Sequence, residues 1–525
     1  MLEIAIDIGG TFTDVVCLQE QQRLFLAKVP TTPHDLVEGV RQYERVCVTT
    51  FDAYVRPTVA VYMQRLADSL SAMGISATLQ VMQSRGGLTS VHTATERPVT
   101  MLLSGPTSGV IGGRFAGGQS QAHNLLTLDM GGTSCDVALV KEGKPLISRE
   151  GRMARYPLRV PMVDVSTVGA GGGSLAWLDS SGGLRVGPQS AGADPGPACY
   201  GRGGTVPTVT DASIVLGYLN PHYFAGGRLT LDAEAAHRVI GDMAARLQMT
   251  PPALAAGIHR IINARMADEI RLVSIRRGYD PRQFALLLMG GAGPVHGGRL
   301  ATMLAIPTTV VPTAPGVLSA FGLLVASIEH DQSRTFAVPA AAVDLTQMVQ
   351  VLEELDRLGR DKMQRDRVLP PDVQIAHAAD LRYIGQSYEL EVPLPVTLDT
   401  ANVTQAVADF HAIHRQVYGH SRPTHPVEFV NLRSVHSAPL PRPHLAPPPT
   451  GGSLEGALKG SRPAYFDECQ AYRDTPVYQR DRLPIGAQLA GPAIIEQPDT
   501  TTVVYPGFLC QADAAGNVLL HPATR

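Results

Sequence analysis

Leu125-Leu126-Thr127-Leu128-Asp129-Met130-Gly131-Gly132-Thr133-Ser134-Cys135-Asp136-Val137-Ala138-Leu139-Val140 reads as an apolar strand, a tight Gly-Gly turn and a second apolar strand. The same pattern stands near the start of the chain, in Ile4-Ala5-Ile6-Asp7-Ile8-Gly9-Gly10-Thr11-Phe12-Thr13-Asp14-Val15-Val16. Six positions recur at a constant offset: both aspartates, both glycines, the threonine and the valine. Glycines let backbone N–H groups close on an anion and adopt positive φ. The threonine adds a hydroxyl donor, and an aspartate at the strand end can hold the magnesium that travels with a nucleotide. Two ordinary Gly-Gly hairpin turns would need neither the aspartates nor the threonine to recur. The repeat therefore predicts two facing lobes with a nucleotide between them.

Phe284-Ala285-Leu286-Leu287-Leu288-Met289 is a third buried strand, and it runs into Gly290-Gly291-Ala292-Gly293-Pro294-Val295-His296. A glycine turn there permits the close backbone approach that a purine and ribose need. Between these motifs, residues 161–211 are rich in glycine and proline and predict a long functional loop. Helices are expected from Asp35 to Arg41, from Tyr54 to Met73 with Val55, Val59, Tyr62, Met63 and Leu66 on one stripe, from Pro252 to Arg277, and from Leu345 to Arg365. The run Pro439 to Pro449 reads as a linker, and Tyr472 to Leu520 as a small β-rich module.

The 525 residues predict more than one domain, with 44% hydrophobic content giving ample core. A formal charge of −3 leaves no basic footprint for nucleic acid or anionic membrane. No apolar run reaches the ~18 residues of a membrane span. The start lacks the pattern of a secretory signal, and the six scattered cysteines contain no C-x-x-C pair. A cytoplasmic protein with reduced thiols is expected. His411, His414, His420 and His425 read as packing rather than metal-ligating histidines, and Cys199 as a structural thiol.

Together with Ser190-Ala191-Gly192-Ala193-Asp194-Pro195-Gly196-Pro197-Ala198-Cys199-Tyr200-Gly201-Arg202-Gly203-Gly204 and Arg382-Tyr383-Ile384-Gly385-Gln386-Ser387-Tyr388, these motifs resemble the hydantoinase A/5-oxoprolinase family over nearly the whole chain. The resemblance implies an α/β fold of two actin-like, RNase H-like lobes around a nucleotide cleft, followed by a strand-rich α+β module. It implies a remnant of the N-terminal domain at 1–42, a core domain at 43–330 and a C-terminal domain at 331–525.

The implied activity is ATP- and Mg2+-dependent ring-opening of a cyclic amide, a hydantoin or 5-oxoproline, in which this A-type subunit phosphorylates the substrate carbonyl. The alternatives are the A-type subunit of an acetone or acetophenone carboxylase, or a non-catalytic nucleotide-binding subunit. The expected partners are a small lactam or ketone and a B-type subunit, in a hetero-oligomer. By the resemblance, Asp7 and Asp129 are catalytic and lie at the metal. Gly9, Gly10, Thr11, Gly131, Gly132 and Thr133 hold phosphates, and Gly290, Gly291 and Gly293 pack against the nucleoside.

Members often carry Asn where this chain has Arg85 and His where it has Ser166. Family subunits also have well over a hundred further residues between the positions of Gly39 and Tyr43, which here are almost adjacent. The first lobe is therefore expected to be truncated.

Overall fold

The computed structural model describes residues 2–8, 12–19, 23–30, 36–148, 151–153, 156–368, 370–386, 388–441 and 452–523, with side chains at 44 and from 46 on, save 152, 153 and 370. Two compact units emerge, one of 1–104, 147–162 and 326–441, the other of 105–146, 163–325 and 442–525.

The second unit is built on a nine-stranded sheet. Its centre is Leu125–Met130, flanked on one side by Cys135–Lys141 antiparallel and on the other by Ala285–Met289 parallel. The central strands are apolar on both faces, as the unbroken runs Leu125-Leu126 and Leu286-Leu287-Leu288 require of a sheet covered on both sides. Pro251–Ile275 lies over one face and buries Ile258, Ile262, Met266 and Ile270, spaced at helical intervals. Proline occupies the first helical turn, where its missing N–H is not needed.

The β-rich tail does not close on itself alone. Thr309–Val311 pairs antiparallel with Val518–Pro522, which pairs with Phe508–Ala512, so the tail extends the central sheet. A separate four-stranded sheet holds Leu458–Phe466, Ala471–Gln479, Ala493–Gln497 and Thr500–Val504.

The expected long loop at 161–211 is regular structure in most of its first half and at its end, and irregular over 191–207 apart from the 3-10 turn Ala198–Tyr200. It contains Val165–Val168, which joins the central sheet, the hairpin Ser174–Leu178 with Leu184–Ser190, and the helix Val209–Val215. Glycines between these elements, such as Gly169, Gly171 and Gly173, serve close backbone contacts.

The first unit carries a six-stranded sheet in the order Leu390–Leu394, Gln374–Tyr383, Val427–Pro439, Ser327–Pro339, Leu88–Ser90, Gln80–Met82. Leu345–Arg365 is capped by Asp344 and places Met348, Leu352 and Leu355 in a core shared with Phe410 and Phe429. The two helices expected around 35–73 are one, Leu36–Ala72, which runs through Pro57. Of the expected stripe, Val55, Val59, Met63 and Leu66 are half-buried and Tyr62 is exposed. Leu2–Ile8, Phe12–Gln19 and Arg23–Pro30 form an antiparallel three-stranded sheet, with Asp7 opposite Asp14. Most of the expected proline linker lies outside the described residues. Among those described, no helix is long and apolar enough to cross a membrane.

The helices Ser104–Gln119 and Leu318–Val325 approach through glycine. A Cβ on Gly322 would run into the Ser108 carbonyl, whereas one on Gly118 meets nothing within 4 Å. Gly322→Ala should destabilise the fold by about 1–3 kcal/mol through overpacking. Gly118→Ala should be neutral or stabilising by up to about 1 kcal/mol through helix propensity. Urea midpoints of the two variants check this pair of signs.

Candidate functional site

The Gly131-Gly132 turn is supported from behind by a second glycine segment. The Gly172 N–H donates to the Gly131 carbonyl at 3.0 Å and the Gly173 N–H to the Gly132 carbonyl at 2.6 Å. A Cβ on Gly171 would lie 2.6 Å from Gly132 and from the Thr133 nitrogen, so only glycine allows this contact. Thr210 locks the support in place: its N–H and its hydroxyl donate to the Gly172 carbonyl at 2.7 and 2.8 Å.

The other side of the turn is open. Cβ atoms on Gly131 or Gly132 would meet nothing within 4 Å, so internal packing does not explain glycine there. The N–H groups of Gly132 and Thr133 find no acceptor among the described residues. Open glycines with spare N–H donors form a cradle for an anion.

This turn lines a cavity of about 220 Å3, together with Gly172 and Thr210. Tyr200, Leu219, Tyr223 and Phe224 also line it, a surface suited to a planar apolar group. Gly291 and Ala292 form one wall, and Thr500 fixes it by donating its hydroxyl to the Gly291 carbonyl at 2.8 Å. Of the other glycines expected at the nucleoside, Gly290 makes the turn, with φ +75° and no room for a Cβ beside Met130 and Asp129. Gly293 opens the helix Gly293–Leu304 and packs against Leu128. Neither lines the cavity.

Asp129 ends its strand beside the Gly290 turn, and the register places it opposite Asp136. Ser319 donates to Asp129 Oδ2 at 2.9 Å, and Thr167 to Asp136 Oδ1 at 2.6 Å. Burial raises the pKa of both carboxyls, and Asp136 adds to the shift at Asp129. Neither has a basic partner among the described residues. Two half-buried carboxylates with no counter-charge are a hard-oxygen donor set that fits a magnesium ion. Sequence reasoning passed over Asp136, although the duplicated motif contains it.

The Asp7 backbone lies in Leu2–Ile8, and its side chain is outside the described set, as are Gly9, Gly10 and Thr11 altogether. The structure therefore brings together only the second copy of the motif with the 290 turn.

His296 lines the cavity and is held by Asn263 at 2.8 Å. Burial pushes its pKa down to about 3, so it is neutral, and it stacks on His259 with 4.8 Å between ring centroids. Cys199 is fully buried, with its thiol pKa raised by burial and by Asp211, which makes it a packing residue. His411, His414 and His425 gather around Tyr383, and their ring nitrogens lie on Tyr383, Gln386, and the His420 and Ile384 carbonyls. Ser166 meets Glu269, and Arg85 meets Glu329 and Asp331.

The fold and site define an α/β protein with a glycine-walled cavity and adjoining paired carboxylates. Three profiles match it: the hydantoinase/oxoprolinase N-terminal region at 3–56, hydantoinase/oxoprolinase at 45–332 and the hydantoinase/oxoprolinase C-terminal domain at 337–522. The chain belongs to the hydantoinase/oxoprolinase family. It is 37% identical to caprolactamase subunit alpha of Pseudomonas jessenii, over 93% of this chain and 71% of that one. The crystal structure of the ATP-dependent caprolactamase from that organism superimposes with a TM-score of 0.81 at 37% identity, over 92% of this chain and 71% of that one. The gamma subunit of acetophenone carboxylase from Aromatoleum aromaticum is 31% identical, over 96% of this chain and 70% of the relative. Arabidopsis thaliana 5-oxoprolinase 1 is 29% identical, over 93% of this chain and 40% of the relative.

Burial penalises the Asp129 charge, so ionisation of this group destabilises the fold. The penalty is absent below the ordinary carboxylate range near pH ~4. It grows as pH rises from there to the raised folded value, and is full above it. Asp129→Asn keeps an acceptor for Ser319. It should be more stable than the wild type at neutral pH, with the difference vanishing in acid. Denaturant midpoints between about pH 3 and pH 8 read the sign.

Proposed function

We propose that this chain is the ATP-dependent, substrate-activating subunit of an enzyme that opens a cyclic amide. The observation that carries the reading is the Gly131-Gly132 turn, open on the side where a Cβ would have room and supported on the other by Gly171–Gly173. In this reading the triphosphate lies on the N–H groups of that turn, and the base sits between Gly291-Ala292 and the aromatic side chains. Gly9, Gly10 and Thr11 would supply the matching contacts from the first copy of the motif. Gly290 and Gly293 act indirectly, by shaping the wall.

Asp129, with Asp136, would hold magnesium, and Asp7 would join them from the first copy. When bound, the ion neutralises charge on the triphosphate. The residues of this chain orient the nucleotide and exclude water from its base. Ser319 and Thr167 fix the carboxylates by donating to them.

The lactam oxygen takes the γ-phosphoryl group and ADP leaves, which makes the ring carbon an electrophile. Water then adds to that carbon and the C–N bond breaks as nitrogen takes a proton, which leaves an acyl phosphate; a second water displaces inorganic phosphate and gives the open amino acid. Catalysis of the first step is positioning and electrostatics. The second step belongs with a partner: the caprolactamase and acetophenone carboxylase relatives are themselves named as subunits. A B-type subunit is the proposed partner. The acetophenone carboxylase relative supports a second reading, in which the same phosphorylation prepares a carboxylation.

The match of 93% of this chain to 71% of the caprolactamase subunit accords with a segment missing near residues 39–43. We place the chain's N-terminal remnant at 1–42, its core at 43–330 and its C-terminal domain at 331–525.

The test mixes this chain with a B-type subunit, ATP and magnesium over caprolactam, 5-oxoproline and N-methylhydantoin. ADP release should rise at least about tenfold with one lactam, a threshold of ~1.4 kcal/mol. ADP release indifferent to every lactam and ketone would sink the assignment. Gly132→Val should weaken nucleotide binding in calorimetry, since its branched side chain would occupy the open cradle without meeting protein. Unchanged affinity would refute the placement of the phosphates.

A further inference from the structure

The helix Leu345–Arg365 is docked on its sheet in two different ways. Its first half buries Met348, Leu352 and Leu355 in the apolar core with Phe410 and Phe429. Its second half lies on imidazoles. His436 stands directly opposite His330 across one strand pair, and His377 stands opposite Ser434 across the next. Ser434 and His436 share one face of their strand, because side chains two apart point the same way. All four residues are buried, His436 completely. A Cβ on Gly359 would run into the His436 ring, so the ring rests directly on the helix backbone.

Hydrogen bonds fix where the protons lie in this layer. His377 Nε2 donates to Asp356 Oδ1 at 2.9 Å, and the Ser434 hydroxyl donates to the same oxygen at 2.5 Å. With its hydrogen committed, the Ser434 oxygen can only accept, and His436 Nδ1 lies 3.4 Å from it. The neutral His436 ring therefore carries its hydrogen on Nδ1. Its Nε2 is a bare lone pair, buried and without a partner. His330 Nε2 donates to Asp366 Oδ2 at 2.9 Å, at the residue that ends the helix.

A proton on His330 or His377 would meet a carboxylate already bonded to the ring. A proton on His436 would go to Nε2 and make a buried donor with no acceptor. The charged and titratable groups that face His436 are Asp356 and Arg360 on the helix, and His377 and His330 on the flanking strands. Asp356 is already shared by His377, Ser434 and, at 3.5 Å, Arg360. Burial lowers the His436 pKa, and Arg360, His377 and His330 lower it further against the pull of Asp356. Docking therefore has its full stability above about pH 6.5, and loses it as pH falls from there towards the lowered folded value.

We propose that this layer is a proton-operated latch: in mild acid, a charge on His436 opposite His330 releases the second half of the helix, Asp356 to Arg365, while the apolar first half stays docked. Like charges directly opposite on paired strands repel, which adds to the cost of the unpaired donor. Asp366 also accepts the Ser90 N–H at 3.3 Å, so release reaches the strand Leu88–Ser90. The latch lies wholly within the first unit and does not depend on the nucleotide reading.

Amide hydrogen exchange of the full chain, corrected for intrinsic rates, reads the two halves of the helix separately. Between about pH 7.5 and pH 5.5, exchange over 356–365 should speed up at least about tenfold relative to 345–355. His436→Asn has no proton to gain, so its two halves should keep one ratio at both pH values. Gly359→Ala pushes the ring away, so 356–365 should already exchange fast at about pH 7.5 and respond little further to acid. That second variant decides the matter if the first does not fold. Acceleration shared equally by both halves, none in either, or a response unchanged in His436→Asn overturns the proposal. So does full protection of 356–365 in Gly359→Ala at the upper pH.

Discussion

The candidate site rests on one backbone-to-backbone contact, the paired hydrogen bonds from Gly172 and Gly173 to Gly131 and Gly132. The supporting segment can come this close only without a Cβ on the facing side, which accounts for Gly171 and Gly173, while Gly172 makes room for the Thr210 hydroxyl. From that contact the rest follows. Thr210 binds the supporting segment to the helix Val209–Val215, whose capping box joins Thr208 and Asp211. Asp211 in turn takes the N–H of Cys199 at 2.8 Å and so fixes the segment that carries Tyr200 into the cavity. The glycine turn and Tyr200, both on the lining of one cavity, are thus positioned by a single chain of bonds.

That chain also explains what was legible in the sequence. The strand–turn–strand around Asp129, the buried strand before Gly290 and the helix near Pro252 were all visible, because period and composition act locally. Residues 161–211 read as one loop, but strands and a helix occupy much of that range. Glycine and proline there answer close tertiary contact, such as Gly171 against Gly132, and no local pattern distinguishes that from a turn. The helix Leu36–Ala72 continues through residues 42–53, which the two expected helices left out. The strands of the tail were expected, but their place in the central sheet depends on pairing between Thr309–Val311 and Val518–Pro522, some two hundred residues apart. Asp136 stood in the quoted motif, and only the cross-strand register gave it a partner in Asp129.

In the first unit the ordering force is electrostatic. Asp380, fully buried, is held by Arg433; Arg433 reaches Asp331; Asp331 accepts Arg85; and Arg85 closes on Glu329. Burial works against the Arg85 charge, but Asp331, Glu329 and Glu391 outweigh it and raise its pKa. Such a network adds little net stability over an apolar core, because desolvation offsets attraction. Its consequence is geometric: alternating charges fix strands Gln374–Tyr383, Val427–Pro439 and Ser327–Pro339 against the 85 turn, with little freedom for any one side chain.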